Sequence, residues 1–206
     1  MAIEPPTEGD GMKPIAIIVP TLDKKRGEAT GKLAALTAGC KTRVIVVAGP
    51  ERGFTKTVND GLKQTTNEDV CILNDDISRF QHGWLRTLRK GLYSRTRYGI
   101  VGPGGRSASE SREGHVGMQG IKVCHHLSFW CVLIRRQVLD DVGLLDERYI
   151  HYCSDNDYCD RIHRRKWKCV WIKSVYLEHK HHGSGLRGKW KQQDQRLYQK
   201  VRNRRK

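Results

Sequence analysis

Apolar residues gather in short runs separated by polar, turn-forming stretches. Residues 15–19, Ile-Ala-Ile-Ile-Val between Pro14 and Pro20, are apolar throughout and rich in β-branching, the pattern of a strand covered on both faces. Pro20 is expected to end it. Residues 44–47 repeat the pattern, and so do residues 70–73, Val-Cys-Ile-Leu, which run into Asn74, Asp75, Asp76 and Ile77. Helical spacing predicts a helix over 27–38 with Leu33, Ala34, Leu36 and Thr37 on its buried side, and a second to about Gln64 with Val58 and Leu62 facing inward. A third, over 80–94, would bury Trp84, Leu85, Leu88 and Leu92. Beyond it, 98–103 reads as a strand, 121–135 as one strand or two short ones, and 136–142 as a short helix closed by Gly143. An amphipathic helix through Arg165 follows, with Ser154 as its N-cap, and then a late strand over 168–177. Strands alternating with helices of this size predict βαβ units and a mainly parallel sheet.

In such a sheet, ligands bind at the carboxyl ends of the strands, where Asn74, Asp75 and Asp76 fall. Acidic side chains there can hold a hard cation against phosphates; the same residue types equally build a plain turn. Asp155 and Asp157 pose a similar choice. Carboxylates in a first helical turn are favoured by the unpaired N–H groups, and one aimed at a hydroxyl can serve as general base. His179 and His181, two apart in an extended segment, are candidate metal ligands, whereas His125-His126 receives no such role. The stretch 104–120, rich in Gly, Ser and charge, is a candidate lid, with plain disorder the alternative.

Composition narrows the picture. A chain of 206 residues builds one sizeable core, and no run is long and apolar enough to span a bilayer. Residues 1–12, polar and acidic with Pro5 and Pro6, read as a flexible leader without secretory character, so a cytoplasmic location is expected. Seven scattered cysteines without a CxxC pair fit reduced thiols and argue against a disulfide framework or a zinc ribbon. A net charge of +16, densest toward the C-terminus, favours a nucleic acid, anionic lipid headgroups or a phosphorylated small molecule. Neither the dinucleotide fingerprint nor a Gly-Lys-Ser/Thr phosphate loop occurs.

The order of several short motifs is more specific than any one of them. Ile18-Val19-Pro20-Thr21, Asn59-Asp60-Gly61, Leu73-Asn74-Asp75-Asp76 and His82-Gly83-Trp84-Leu85 are followed by Val101-Gly102-Pro103 and Leu133-Ile134-Arg135-Arg136. Val142-Gly143-Leu144-Leu145-Asp146-Glu147, Ser154-Asp155-Asn156-Asp157 and a closing His179 complete the series. In this order the chain resembles the inverting family 2 glycosyltransferases of GT-A type, and most of all their rhamnosyltransferase-like members.

The resemblance implies an α/β fold of GT-A type, the nucleotide-diphospho-sugar transferase fold, with a mainly parallel central sheet and helices on both faces. It spans a single domain over 13–185, followed by a basic helix or tail over 186–206. It further implies a metal-dependent transfer of sugar from a nucleoside diphosphate sugar, with inversion, to a hydroxyl on a glycan, lipid-linked or other anionic acceptor. Asp76 would hold Mn²⁺ or Mg²⁺, and His179, with His181 two positions on, would contact the metal or the diphosphate. Asn74 and Asp75 would lie nearer sugar or ribose, Thr21 and Asp23 would contact the base, and Asp155 would deprotonate the acceptor. No specific nucleic-acid partner is implied, and contact with an acidic membrane surface would suit the charge. The chain departs from the family pattern at Ala48-Gly49, where an acidic residue usually follows the second strand, at Phe129-Trp130-Cys131, and at Ser154, which replaces a glutamate. Two other readings use the same residues: a nucleotidyltransferase-like enzyme with Lys24-Lys25-Arg26-Gly27 as a faint phosphate loop, and a non-catalytic domain binding polyanions through its basic tail.

Overall fold

The computed structural model of the chain describes residues 13–49, 53–104, 120–180 and 190–204. The segments 1–12 and 105–119, most of the expected lid, and His181 lie outside them. The main sheet begins with β1 (Ile15–Thr21), β2 (Thr42–Ala48) and β3 (Val70–Leu73), linked by α1 (Lys24–Thr37) and α2 (Gly53–Leu62). Next come a short strand β4 (Ile77–Phe80), α3 (Trp84–Tyr93), β5 (Tyr98–Pro103), β6 (Ile121–Cys124), β7 (Cys131–Ile134) and α4 (Arg136–Val142). The chain continues through α5 (Ser154–Arg164), β8 (Lys168–Ile172), β9 (Leu177–His179) and α6 (Lys191–Asn203).

Seven strands form one sheet in the order β2-β1-β3-β7-β5-β8-β6, while β4 and β9 pair as a separate antiparallel ribbon. β1 pairs parallel with β2 and β3, and β5 with β8; β7 runs antiparallel to β3 and β5, and β6 to β8. Five strands therefore share one direction, as the alternation of strands and helices predicts. Side chains alternate across a strand, so β1 feeds two cores. Ile15, Ile17 and Val19 join Ala34 of α1 and Trp84, Leu85 and Leu88 of α3 on one face. Ala16 and Ile18 join Val58 and Leu62 of α2 and Tyr158 and Ile162 of α5 on the other.

Four local expectations need correction. Pro20 lies inside β1, not after it, opposite Val47. The N–H of Ile15 points to β2 and that of Ala16 to β3, so alternation turns the donor-less nitrogen of Pro20 toward β3, whose pairing with β1 stops at Ile18. On α1 the buried residues are Gly27, Thr30, Gly31 and Ala34, while Leu33 and Leu36 are exposed. Small residues win that face because the helix lies very close to the sheet: a Cβ on Gly31 would sit 2.6 Å from a Val44 methyl, and one on Gly27 would sit 2.7 Å from a Thr21 methyl. Phe80 belongs to β4, so the third helix starts at Trp84, although its four expected apolar residues are all buried. Ser154 is the first residue of α5 and does not cap it; Cys153, at φ 62°, turns the chain into the helix and its carbonyl accepts from Asp157 N–H.

The basic α6 packs on the domain. Its Asp194 is fully buried, and the carboxylate accepts backbone N–H groups from Ile150, His151 and Tyr152 at 3.1, 2.9 and 2.8 Å. Asn59 makes a comparable clasp between α2 and the turn after α4, exchanging hydrogen bonds with the backbone of Leu145 and donating to Glu147.

Candidate active site

β3 is apolar and wholly buried because strands flank it on both sides and helices cover both faces. Its pairing with β7 continues one step past Leu73, where Asn74 N–H donates to the Trp130 carbonyl at 2.8 Å. The chain then turns through Asp75 and Asp76 into β4, presenting both acids where the sheet ends.

The two neighbours face different partners. Asp75 is anchored toward α1: its Oδ2 accepts the Thr21 hydroxyl at 2.5 Å and Arg26 Nε and Nη2 at 2.9 and 2.8 Å. Its carbonyl accepts the Thr30 hydroxyl at 2.8 Å. Asp76 instead faces His179, with Oδ1 and Nε2 2.8 Å apart and both side chains at least nine-tenths withdrawn from solvent. The ribbon enforces this meeting, because Ile77 pairs with His179 and Lys180 N–H donates to the Asp76 carbonyl at 3.0 Å. Trp130 lies flat on the His179 ring, with centroids 5.0 Å apart and planes inclined by 13°.

Asp155 stands in the first turn of α5, where its carboxylate accepts N–H groups from Asn156, at 2.9 Å, and from Phe129. Burial pushes its carboxyl above the ordinary aspartate range and outweighs the backbone N–H donors and the nearby His126 imidazole that lower it. The connection to the Asp76 side is two residues long. Phe129 holds Asp155, and Trp130 holds both Asn74 and His179.

The structure thus gathers Thr21, Asn74, Asp75, Asp76 and His179 at one sheet edge and ties Asp155 to it through 129–130. Asp23 adjoins the group: its N–H donates to the Thr21 hydroxyl oxygen at 3.0 Å, while its exposed carboxylate caps α1 by accepting Arg26 N–H at 3.2 Å. Lys24, Lys25, Arg26 and Gly27 form the first turn of α1, so no phosphate loop follows β1. Two participants escaped the sequence reading. In sequence Arg26 reads as part of a faint phosphate loop, although an N-cap aspartate three residues earlier signals a helix start. Trp130 entered only as a departure from a family pattern, and no spacing along the chain announces its stacking on a histidine 49 positions away.

No family model matches the chain. It is 42% identical over 60 residues to an N-acetylglucosaminyl-diphospho-decaprenol L-rhamnosyltransferase of Mycobacterium tuberculosis, a match that covers 29% of this chain and only 20% of the relative. Among solved structures it is similar to GalNAc-T7 with UDP, GalNAc and Mn²⁺, with a TM-score of 0.58 at 10% identity over 83% of this chain and 44% of that one. It is also similar to the mannosyltransferase PcManGT from Pyrobaculum calidifontis in complex with GDP-Man and Mn²⁺, with a TM-score of 0.54 at 13% identity over 83% and 58%. A third neighbour, S. aureus TarS, gives a TM-score of 0.51 at 13% identity over 78% and 60%. The chain therefore has the α/β fold of the GT-A glycosyltransferases.

Proposed function

We propose that the chain is an inverting glycosyltransferase that moves a sugar from a nucleoside diphosphate sugar to a hydroxyl acceptor, using a divalent ion. The observation that carries this reading is the buried meeting of Asp76 Oδ1 and His179 Nε2, 2.8 Å apart, at the sheet edge. One carboxylate oxygen and one imidazole nitrogen make a donor set that fits such an ion, and the nitrogen favours Mn²⁺ over Mg²⁺, which prefers oxygen alone. Asp76 and His179 would hold it. When bound, the ion offsets charge on the departing diphosphate.

The remaining work falls to the chain's own side chains. Arg26 neutralises Asp75, so one acid of the pair does not repel the diphosphate. Asp155, its carboxyl pushed up by burial, takes the acceptor's proton more readily than an ordinary aspartate. Phe129 N–H fixes the direction of that carboxylate, and the neighbouring Trp130 keeps His179 in plane. Attack by the acceptor oxygen at the anomeric carbon breaks the bond to the diphosphate and inverts the centre, without a protein nucleophile.

A lipid-linked or otherwise anionic acceptor suits the charge of +16, and the name of the mycobacterial relative describes a diphospho-decaprenol acceptor. Among the described residues no helix is long and apolar enough to cross a membrane. The test pairs donor binding with transfer in Asp76→Ala and Asp155→Ala proteins, across a panel of nucleoside diphosphate sugars with and without Mn²⁺. Asp76→Ala is expected to lose metal-dependent donor binding, and Asp155→Ala to keep it while losing transfer. Intact metal-dependent binding in the first, or undiminished transfer in the second, refutes the assignment.

A further inference from the structure

His125 and His126 leave the end of β6, where Cys124 pairs with Cys169 of β8, and their rings approach Asp160 on α5. His125 Nε2 lies 3.5 Å and His126 Nε2 3.2 Å from the same oxygen, Asp160 Oδ1. One ligand atom from each of the three residues falls within 4.8 Å of the others. Ligands about 2.0–2.1 Å from a tetrahedral ion are about 3.3 Å apart, which the two histidine to aspartate separations match before any ion has drawn them in.

The surroundings hold these groups in position. The other oxygen of Asp160 accepts the Tyr198 hydroxyl from α6 at 2.8 Å, leaving Oδ1 to the imidazoles. His163 stacks on His125, with centroids 4.8 Å apart and planes 8° from parallel, and its Nε2 bonds the His125 carbonyl at 2.8 Å. A partner fixing the far side of a ligand is the usual support of a metal site. Exposure also differs in a useful way. Asp160 is largely buried and His126 partly so, while His125 opens to solvent, leaving room for water to complete the coordination.

We propose that His125, His126 and Asp160 form a second divalent-metal site, for an ion of the Zn²⁺, Co²⁺ or Ni²⁺ class, separate from Asp76 and His179. Two imidazole nitrogens with one carboxylate select such borderline ions over Mg²⁺. An ion here fastens the connection between β6 and β7 to α5, and through Tyr198 to α6. The ion acts by joining these elements, and the site stands whether or not the transfer reaction does.

The test uses the full chain carrying Asp76→Ala, stripped with chelator and titrated calorimetrically with Zn²⁺, so that the sheet-edge site does not contribute. One equivalent is expected, together with a rise in Tm on zinc addition. Adding His126→Ala should abolish that equivalent, and His125→Ala, at a largely exposed ring, should do the same. Tyr198→Phe should weaken binding by about 10–100-fold, the usual cost of losing a partner behind a ligand. Absence of a zinc equivalent overturns the proposal, as does unchanged stoichiometry in both histidine variants. A Co²⁺ complex showing the intense charge-transfer absorption of thiolate ligation would also overturn it, assigning the ion to cysteines.

Discussion

Asp194→Ala removes a buried side chain through which α6 holds the segment leading into α5. Its carboxylate accepts three backbone N–H groups, from Ile150, His151 and Tyr152, and is fully buried. A hydrogen bond to a charged group is worth about 1.5–3 kcal/mol net. The three donors lie on half-buried residues that water reaches once the carboxylate is gone, which reduces the simple total to about 3–5 kcal/mol. For a chain of this length each kcal/mol lowers Tm by about 2–4 °C, so a fall of roughly 10 °C is expected. Calorimetric melting of the parent, Asp194→Ala and Asp194→Asn measures it. The asparagine variant keeps one acceptor oxygen and should fall between the other two. Because 150–152 lead directly to Cys153 and Asp155, donor binding should survive in the alanine protein at a temperature where it is folded, while transfer declines. A Tm within about 2 °C of the parent would refute the clasp.

Three further outcomes follow from the geometry. Transfer should lose activity on the acid side as Asp155 takes a proton, at a pH above the ordinary aspartate range because burial raises that carboxyl; a profile whose acid limb falls at about pH 4 or below argues against Asp155 as base. Glu68 is pushed down from 4.5 to about 2, since hydrogen bonds from Arg43, Asn67 and Thr66 overcome the burial that raises it. A depressed folded pKa stabilises above the unfolded value, so Glu68→Gln should cost about 1–3 kcal/mol at neutral pH, and the deficit should fade as pH drops from about 4.5 toward 2, read from urea midpoints. In Gly61→Ala the new Cβ would meet Ile18 side-chain carbons at 2.5, 3.2 and 3.3 Å in the buried core. Overpacking of about 1–3 kcal/mol against a helix-propensity gain of about 1 kcal/mol predicts a net loss of up to about 2 kcal/mol in chemical denaturation.

Strands with apolar residues on both faces were legible in the chain because their chemistry is local: β1 and β3 declare themselves by composition, and the inner faces of α2 and α3 by spacing. α1 misled for a physical reason. Periodicity ranks residues by hydrophobicity, whereas its contact with the sheet is selected by size, so Gly27 and Gly31 went inside and Leu33 and Leu36 faced solvent. The β4–β9 ribbon was hidden because its strands have four and three residues and pair across about a hundred positions. That pairing is what brings His179 to Asp76. Motif order placed both residues in one candidate site, but only the ribbon shows that they face each other. The division of labour between Asp75 and Asp76 was likewise invisible, since it depends on Arg26 and Thr21 reaching back from α1 and β1.

The closeness of α1 to the sheet bears on more than packing. Arg26 reaches Asp75 from the helix's first turn, and the neighbouring Gly27 sets how near that turn comes to Thr21 and Val46. The spacing between the two layers thus acts as a ruler for charge. A side chain inserted at position 27 would lift the turn, lengthen the reach of the guanidinium, and return an uncompensated negative charge to the proposed diphosphate site. Variation on this small-residue face is limited by electrostatics several ångströms away, so a mutational scan of α1 should find its least tolerant position at a residue that has no functional group at all.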